Sequence, residues 1–106
     1  MGFETIDDIT IKYMEEEKEV VKEIDKVILS RGSWTTIMFK YQDFDRKKED
    51  FGPIKVSIRR YQKTSGEFRQ RSKFNISSAK QANQIIGTLQ TWFKDLKEEG
   101  GEEADD

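Results

Sequence analysis

The chain has no cysteine, no histidine and one proline in 106 residues. Without Cys there is no disulfide framework and no thiolate nucleophile, a pattern that fits a reducing compartment. Without His the commonest general base and metal ligand is missing. The acids Asp43, Asp45, Glu49 and Asp50 do not follow the spacing of an EF-hand loop, and no Gly-rich phosphate cradle is present. No apolar run approaches the ~20 residues of a membrane-spanning helix. The acidic N-terminus also lacks the apolar stretch of a signal peptide. These absences argue against an enzyme, a metal or cofactor site and a membrane protein, and they lead to the expectation of a cytoplasmic chain.

Apolar residues are scarce as well, at 34% against 38% charged. A single domain of this size has a thin core, and a subunit interface is expected to complete it. The net charge of −2 conceals a strong segregation. Residues 1–30 carry 4 Lys against 9 acids, residues 31–73 carry 12 Lys or Arg against 5, and residues 74–106 carry 3 Lys against 7. A cationic middle of +7 is therefore bracketed by ends of −5 and −4, and the local field matters more than the overall balance.

Along the chain, three regions separate. Residues 1–18 form an acidic arm with one short β-like run, Ile9 to Tyr13, and are expected to be weakly ordered. Residues 19–98 form the domain, and residues 99–106 an acidic, Gly-containing tail. Glu19 to Leu29 fits two templates. Val20, Val21, Ile24, Val27 and Ile28 make a helical stripe supported by Glu19/Lys22 and Glu23/Lys26, whereas the Val/Ile content and the following Ser30-Arg31-Gly32-Ser33 turn favour a strand. Trp34 to Phe44 reads as a strand, and Asp45 to Gly52 as a polar loop bearing Arg46, Lys47 and Lys48. Ser78 and Gln81 form a capping box at the start of a helix. Its stripe of Ala82, Ile85, Ile86, Leu89, Trp92, Phe93 and Leu96 is wide, and Gly100-Gly101 ends it.

The centre of the pattern is the hairpin from Pro53 to Lys73. Ile54, Val56 and Ile58 alternate with Lys55, Ser57, Arg59, Tyr61 and Lys63. After Thr64-Ser65-Gly66, Phe68, Phe74 and Ile76 alternate with Arg69, Arg71 and Lys73. This predicts an apolar core face and a cationic open face, with the two basic rows side by side. The fold class is α+β: a four-stranded antiparallel sheet followed by one C-terminal helix, β-β-β-β-α, expected to dimerise through Ile85, Leu89, Trp92 and Phe93.

Asp43-Phe44, Ile58-Arg59-Arg60-Tyr61, Gly66-Glu67, Lys73 and Ile76-Ser77 before a helix resemble, in order and spacing, the core of the positive cofactor four family of transcriptional coactivators. The resemblance covers roughly residues 20–96. It implies a homodimer that holds single-stranded DNA on its sheets, as the related Whirly and Pur-alpha type modules also favour single strands, and it implies a nucleic-acid role for Phe44, Arg59, Tyr61 and Lys73. The longer loop after Phe44 and the Phe74-Asn75 pair depart from the family pattern.

The residues point the same way without the family. A sequence-tolerant single-strand binder needs cations for phosphates and aromatic platforms for bases. Lys40, Lys55, Arg59, Lys63, Arg69, Arg71 and Lys73, with the loop cations Arg46, Lys47 and Lys48, supply charge; Trp34, Phe44 and Tyr61 supply rings. No basic helix is available to enter a major groove. The expectation is a single-stranded DNA-binding transcription cofactor or DNA-maintenance factor with little sequence specificity, touching the transcription machinery, at the nucleoid of a bacterium or in the nucleus of a eukaryote. The alternatives are an RNA-binding module of the same fold and a protein-interaction adaptor.

Overall fold

In the computed structural model, residues 2–96 are described; the Gly100-Gly101 helix stop and the acidic tail 99–106 lie outside the described residues. A 3-10 turn at Ile6–Asp8 precedes six strands: β1 Tyr13–Glu15, β2 Lys18–Ser30, β3 Trp34–Asp45, β4 Asp50–Phe51, β5 Lys55–Thr64 and β6 Glu67–Ile76. Helix α1, Ala79–Phe93, follows. All pairings are antiparallel in the order β1-β2-β3-β5-β6, with β4 a two-residue ribbon on the end of β3. The architecture is antiparallel sheet plus one helix, as expected. The strand count rises from four to six because the loop after Phe44 and the end of the N-terminal arm each contribute a short strand.

Residues 19–29 are strand, and the reason their sequence also fits a helix is visible in the register. The β2–β3 pairing shifts between Glu23 and Asp25 and again between Ile28 and Ser30. Each extra residue reverses the in/out alternation. Apolar side chains therefore recur at intervals of one, three and four residues inside a continuous strand.

The N-terminal arm corrects another expectation. Instead of being weakly ordered, it crosses one face of the sheet from edge to edge. Phe3 pairs with Phe68 on β6 through backbone bonds of 3.0 and 2.6 Å, and ten residues later Tyr13 pairs with Val21 on β2. Between these points Ile9 and Ile11 are buried against Ile37, Phe39, Tyr41, Tyr61 and Phe68, which together form the core. We call this the inner face. Two side chains of β2 hold the arm. Lys26 Nζ donates to the carbonyl oxygens of Ile6, Asp7 and Ile9 at 3.2, 3.1 and 2.6 Å. The Glu23 carboxylate accepts from Thr10 Oγ1 at 2.6 Å and Ile11 N at 3.2 Å. The pair that resembles an i,i+3 helical ion pair in sequence is thus a backbone clamp.

The arm decides which face of β5 is core. Thr35↔Tyr61, Ile37↔Arg59, Phe39↔Ser57 and Tyr41↔Lys55 are cross-strand partners, so Lys55, Ser57, Arg59 and Tyr61 share the inner face with the β3 core. Ile54, Val56 and Ile58, the expected core row, belong to the opposite, outer parity. There Val27, Ile54 and Phe74 are 50%, 47% and 51% exposed. Ser57 is fully buried and its hydroxyl is satisfied, donating to Asn75 Oδ1 at 2.6 Å. A side chain that reads as surface-facing is therefore tolerated inside because it is hydrogen-bonded.

The hairpin turn falls as the sequence predicts, with Ser65 and Gly66 both at positive φ, 55° and 81°, the geometry of a two-residue hairpin loop. The helix start is also as expected: Ser78 Oγ accepts from Gln81 N at 3.1 Å, and Gln81 Oε1 accepts from Ser77 N at 3.4 Å. Beyond its cap, α1 makes at most marginal contact with any strand. It leaves Ile86, Leu89, Trp92, Phe93 and Leu96 exposed, Trp92 to 72%. Among the described residues, no helix is long and apolar enough to cross a membrane.

Candidate nucleic-acid interface

Strand β6 is the edge from which the cations project, and a bulge sets their directions. Arg60 pairs with Ser72 while Tyr61 pairs with Gln70, so Arg71 is the extra residue. Parity reverses at that point. Phe68 points into the core with Tyr61, whereas Phe74 and Ile76 sit opposite Ile58 and Val56 on the outer side. The same reversal divides the basic row: Lys73 is opposite Arg59 on the inner parity, while Arg69 is opposite Gln62 on the outer one. The expected flat cationic face is therefore corrected to a cationic rim. It works because β6 is bordered beyond Phe68 by no further strand among the described residues, and side chains of both parities reach the edge.

At this rim, Arg59, Arg69, Arg71 and Gln70 line a groove of ≈ 460 Å³ together with Tyr61 and the arm residues Phe3 and Thr10. Arg59 is half-buried; its Nε donates to Ser57 Oγ and its Nη1 to Gln70 Oε1, each at 3.0 Å. Arg71 Nε donates to Gln62 Oε1 at 3.1 Å. Both are held by neutral acceptors, so their orientation is fixed without neutralising their charge. Arg69 is paired with Glu67 at 2.6 Å. Lys73 is exposed beside them, and Lys63 Nζ lies 5.6 Å from the Phe68 ring.

A second cationic group surrounds the β3–β4 end. The Phe44 and Phe51 rings meet edge to face at 5.5 Å. Lys18 Nζ sits 3.8 Å over the Phe44 ring and Lys22 Nζ 4.7 Å over Phe51. Arg46 is paired with Glu15, while Lys47 and Lys48 are exposed at the loop. Lys55 bonds Asp43 at 3.0 Å, and this hydrogen bond raises its pKa above the usual value of 10.5.

The aromatic candidates fare differently from one another. Tyr61, expected at the surface, is 1% exposed, with Phe3 edge-on at 6.4 Å. Burial pushes its phenol pKa above 10.0. The arm that covers it is too distant in sequence for local alternation to reveal. Trp34 lies on the outer side with the Arg60 guanidinium 4.5 Å over its ring, and Lys40 is on that side too, opposite Val56. The structure thus brings Arg59, Arg69, Arg71 and Lys73 together, groups Phe44 with Arg46, Lys47 and Lys48, and separates Trp34 and Lys40 from both sets. Lys18, Lys22, Phe51, Gln70 and Phe3 are neighbours of these groups that sequence reasoning missed. Lys18 and Lys22 carried a signal only as cations at even spacing on β2, and Phe3 carried none. Comparison with protein families, curated proteins and solved structures returns no match for the chain.

Proposed function

We propose that the protein binds single-stranded nucleic acid, DNA in the first instance, along the β6 rim, as a homodimer acting in transcription or DNA maintenance. The observation that carries this reading is that Arg59, Arg71 and Lys73 converge on one sheet edge with no carboxylate partner among the described residues. A set of fixed, unneutralised cations attracts a polyanion and releases its counterions on binding. Phe44 and Phe51 supply ring surface at the far end, where a base can displace Lys18 or Lys22 and stack. A duplex gains less, because among the described residues no helix carries a row of cations suited to a groove. Such a protein works wherever single strands are exposed: in the cytoplasm, at a nucleoid or in a nucleus.

Surface area supports the dimer. The accessible surface is 8071 Å², whereas a compact monomer of 12.5 kDa has roughly 6,200 Å². The radius of gyration is 15.9 Å against about 13 Å for this length. The excess of roughly 1,900 Å² per chain is of the order buried in an obligate dimer. Exposed apolar side chains lie on α1 (Ile86, Leu89, Trp92, Phe93) and on the outer face (Val27, Ile54, Phe74), and a second copy is proposed to cover them through Ile85, Leu89, Trp92 and Phe93.

The test is a fluorescence-anisotropy titration of a labelled oligothymidylate and of a duplex of equal length, with the mass measured by light scattering. The reading expects the single strand to bind at least about tenfold more tightly than the duplex, and a mass of two chains. Equal affinity for the two, or binding to neither, refutes it, and a monomer at micromolar concentration refutes the dimer.

A further inference from the structure

We infer that the groove between the N-terminal arm and β6 is a discrete phosphate pocket, built by Arg59, Arg69 and Arg71 with Gln70, and walled by Phe3 and Thr10 of the arm. This rests on the nucleic-acid reading above and assigns one site within it. At ≈ 460 Å³ the groove lies within the range of small-ligand sites, about 300–1,000 Å³, and it is enclosed on one side by a segment that is itself part of the core.

Three features distinguish it from a solvated row of cations. The β6 bulge at Arg71 divides the basic row between the two parities, yet Arg59, Arg69 and Arg71 all line this one groove, because β6 is an edge that side chains of either parity can reach around. Arg59 is half-buried, and its position is fixed at two atoms by Ser57 and Gln70. A partly desolvated guanidinium that meets only neutral acceptors retains its attraction for an anion and needs little reordering to meet one. Finally, the inner-face carboxylate of Glu23 accepts from Thr10 and Ile11 of the arm and is not paired with a pocket arginine among the described residues. Among the described residues, Glu67, on Arg69, is the one acid paired directly with a pocket guanidinium. The planar forks suit phosphate oxygens, and a strand's backbone phosphodiester and its terminal phosphate present the same chemistry.

The experiment uses the full chain and two probes, a dodecathymidylate with a 5′-hydroxyl and the same strand with a 5′-phosphate, followed by anisotropy and by the arginine Nε–H signals in NMR. The pocket predicts that the Arg59 and Arg71 signals shift on binding. It also predicts that Arg71→Gln weakens binding about tenfold and reduces the magnitude of the log–log salt slope by about 0.7. Glu67→Gln is expected to strengthen binding about threefold by releasing Arg69, a gain that a folding defect does not imitate. Shifts with both probes assign a backbone phosphate, and shifts with the 5′-phosphate strand alone assign a terminal one. Oligonucleotide binding that leaves both signals unmoved overturns the pocket while the wider reading stands. Binding of neither probe overturns both. Shifts produced by polyglutamate but by neither probe replace phosphate with an acidic peptide and overturn the assignment.

Discussion

Replacing Ile9 by Ala tests whether the N-terminal arm is core. Ile9 is fully buried among Ile37, Phe39 and Tyr61. The substitution removes three carbons, a transfer loss of about 2.4 kcal/mol at ~0.8 kcal/mol each. The cavity left behind adds to this, since the arm is tied down at Phe3, at the Lys26 clamp and at β1 and has little freedom to collapse. Surveys of buried large-to-small changes bracket the sum at roughly 2–5 kcal/mol, and we expect about 3–4. Against a total stability of about 5–15 kcal/mol for a domain of this size, that is a large fraction. Urea unfolding followed by circular dichroism, at fixed protein concentration, should show a lower midpoint with an unchanged slope. A loss below about 0.5 kcal/mol, the range of ordinary surface changes, would mean that the arm is not packed on the inner face.

The Lys26 clamp gives a second expectation: Lys26→Met removes a donor shared by three carbonyls and should cost about 2–3 kcal/mol. Its check is the same urea titration, together with faster hydrogen exchange at Phe3 and Phe68, whose backbone pairing depends on the arm. Alkaline pH gives a third. Tyr61 and Lys55 both have folded-state pKa values raised above their usual 10.0 and 10.5, Tyr61 by burial and Lys55 by its bond to Asp43. The folded state therefore holds these protons more tightly than the unfolded chain. Their contribution is complete below pH 10 and is lost as pH rises through the elevated values. Urea midpoints between pH 9 and 11 should fall, and Tyr61→Phe should lessen the fall; an unchanged fall in that variant would assign the alkaline transition elsewhere.

Local chemistry was readable from the chain. The Ser65-Gly66 turn, the alternating runs on either side of it and the Ser78-Gln81 cap are each specified by neighbours in sequence, and each forms where expected. What alternation alone left undetermined was the choice of face. Ile54, Val56 and Ile58 make a convincing core row only if nothing packs on Ser57, Arg59 and Tyr61, and it is Ile9 and Ile11, some fifty residues earlier, that pack there. Bulges account for the rest. One at Arg71 places Phe68 and Phe74 on opposite sides, and two in β2 make a strand resemble a helix. A bulge has no obligatory residue type, so the extra position is visible only once partners are known. In the candidate site, Arg59, Arg69, Arg71 and Lys73 lie near one another, but at a rim and beside an arm rather than on a flat face. Tyr61 lies beneath that arm rather than open to a base.

The central claim is that the cations of the β6 rim hold the phosphates of an unpaired strand. The most direct measurement is the affinity for an oligothymidylate across a series of salt concentrations. With Arg59, Arg71, Lys73 and one or two of Lys63, Lys47 and Lys48 engaged, log K should fall against log salt with a slope of about −3, near 0.7 per phosphate neutralised. The double variant Arg71→Gln, Lys73→Gln should flatten it to about half that value. A slope near zero, or one that the double variant leaves unchanged, would contradict the account.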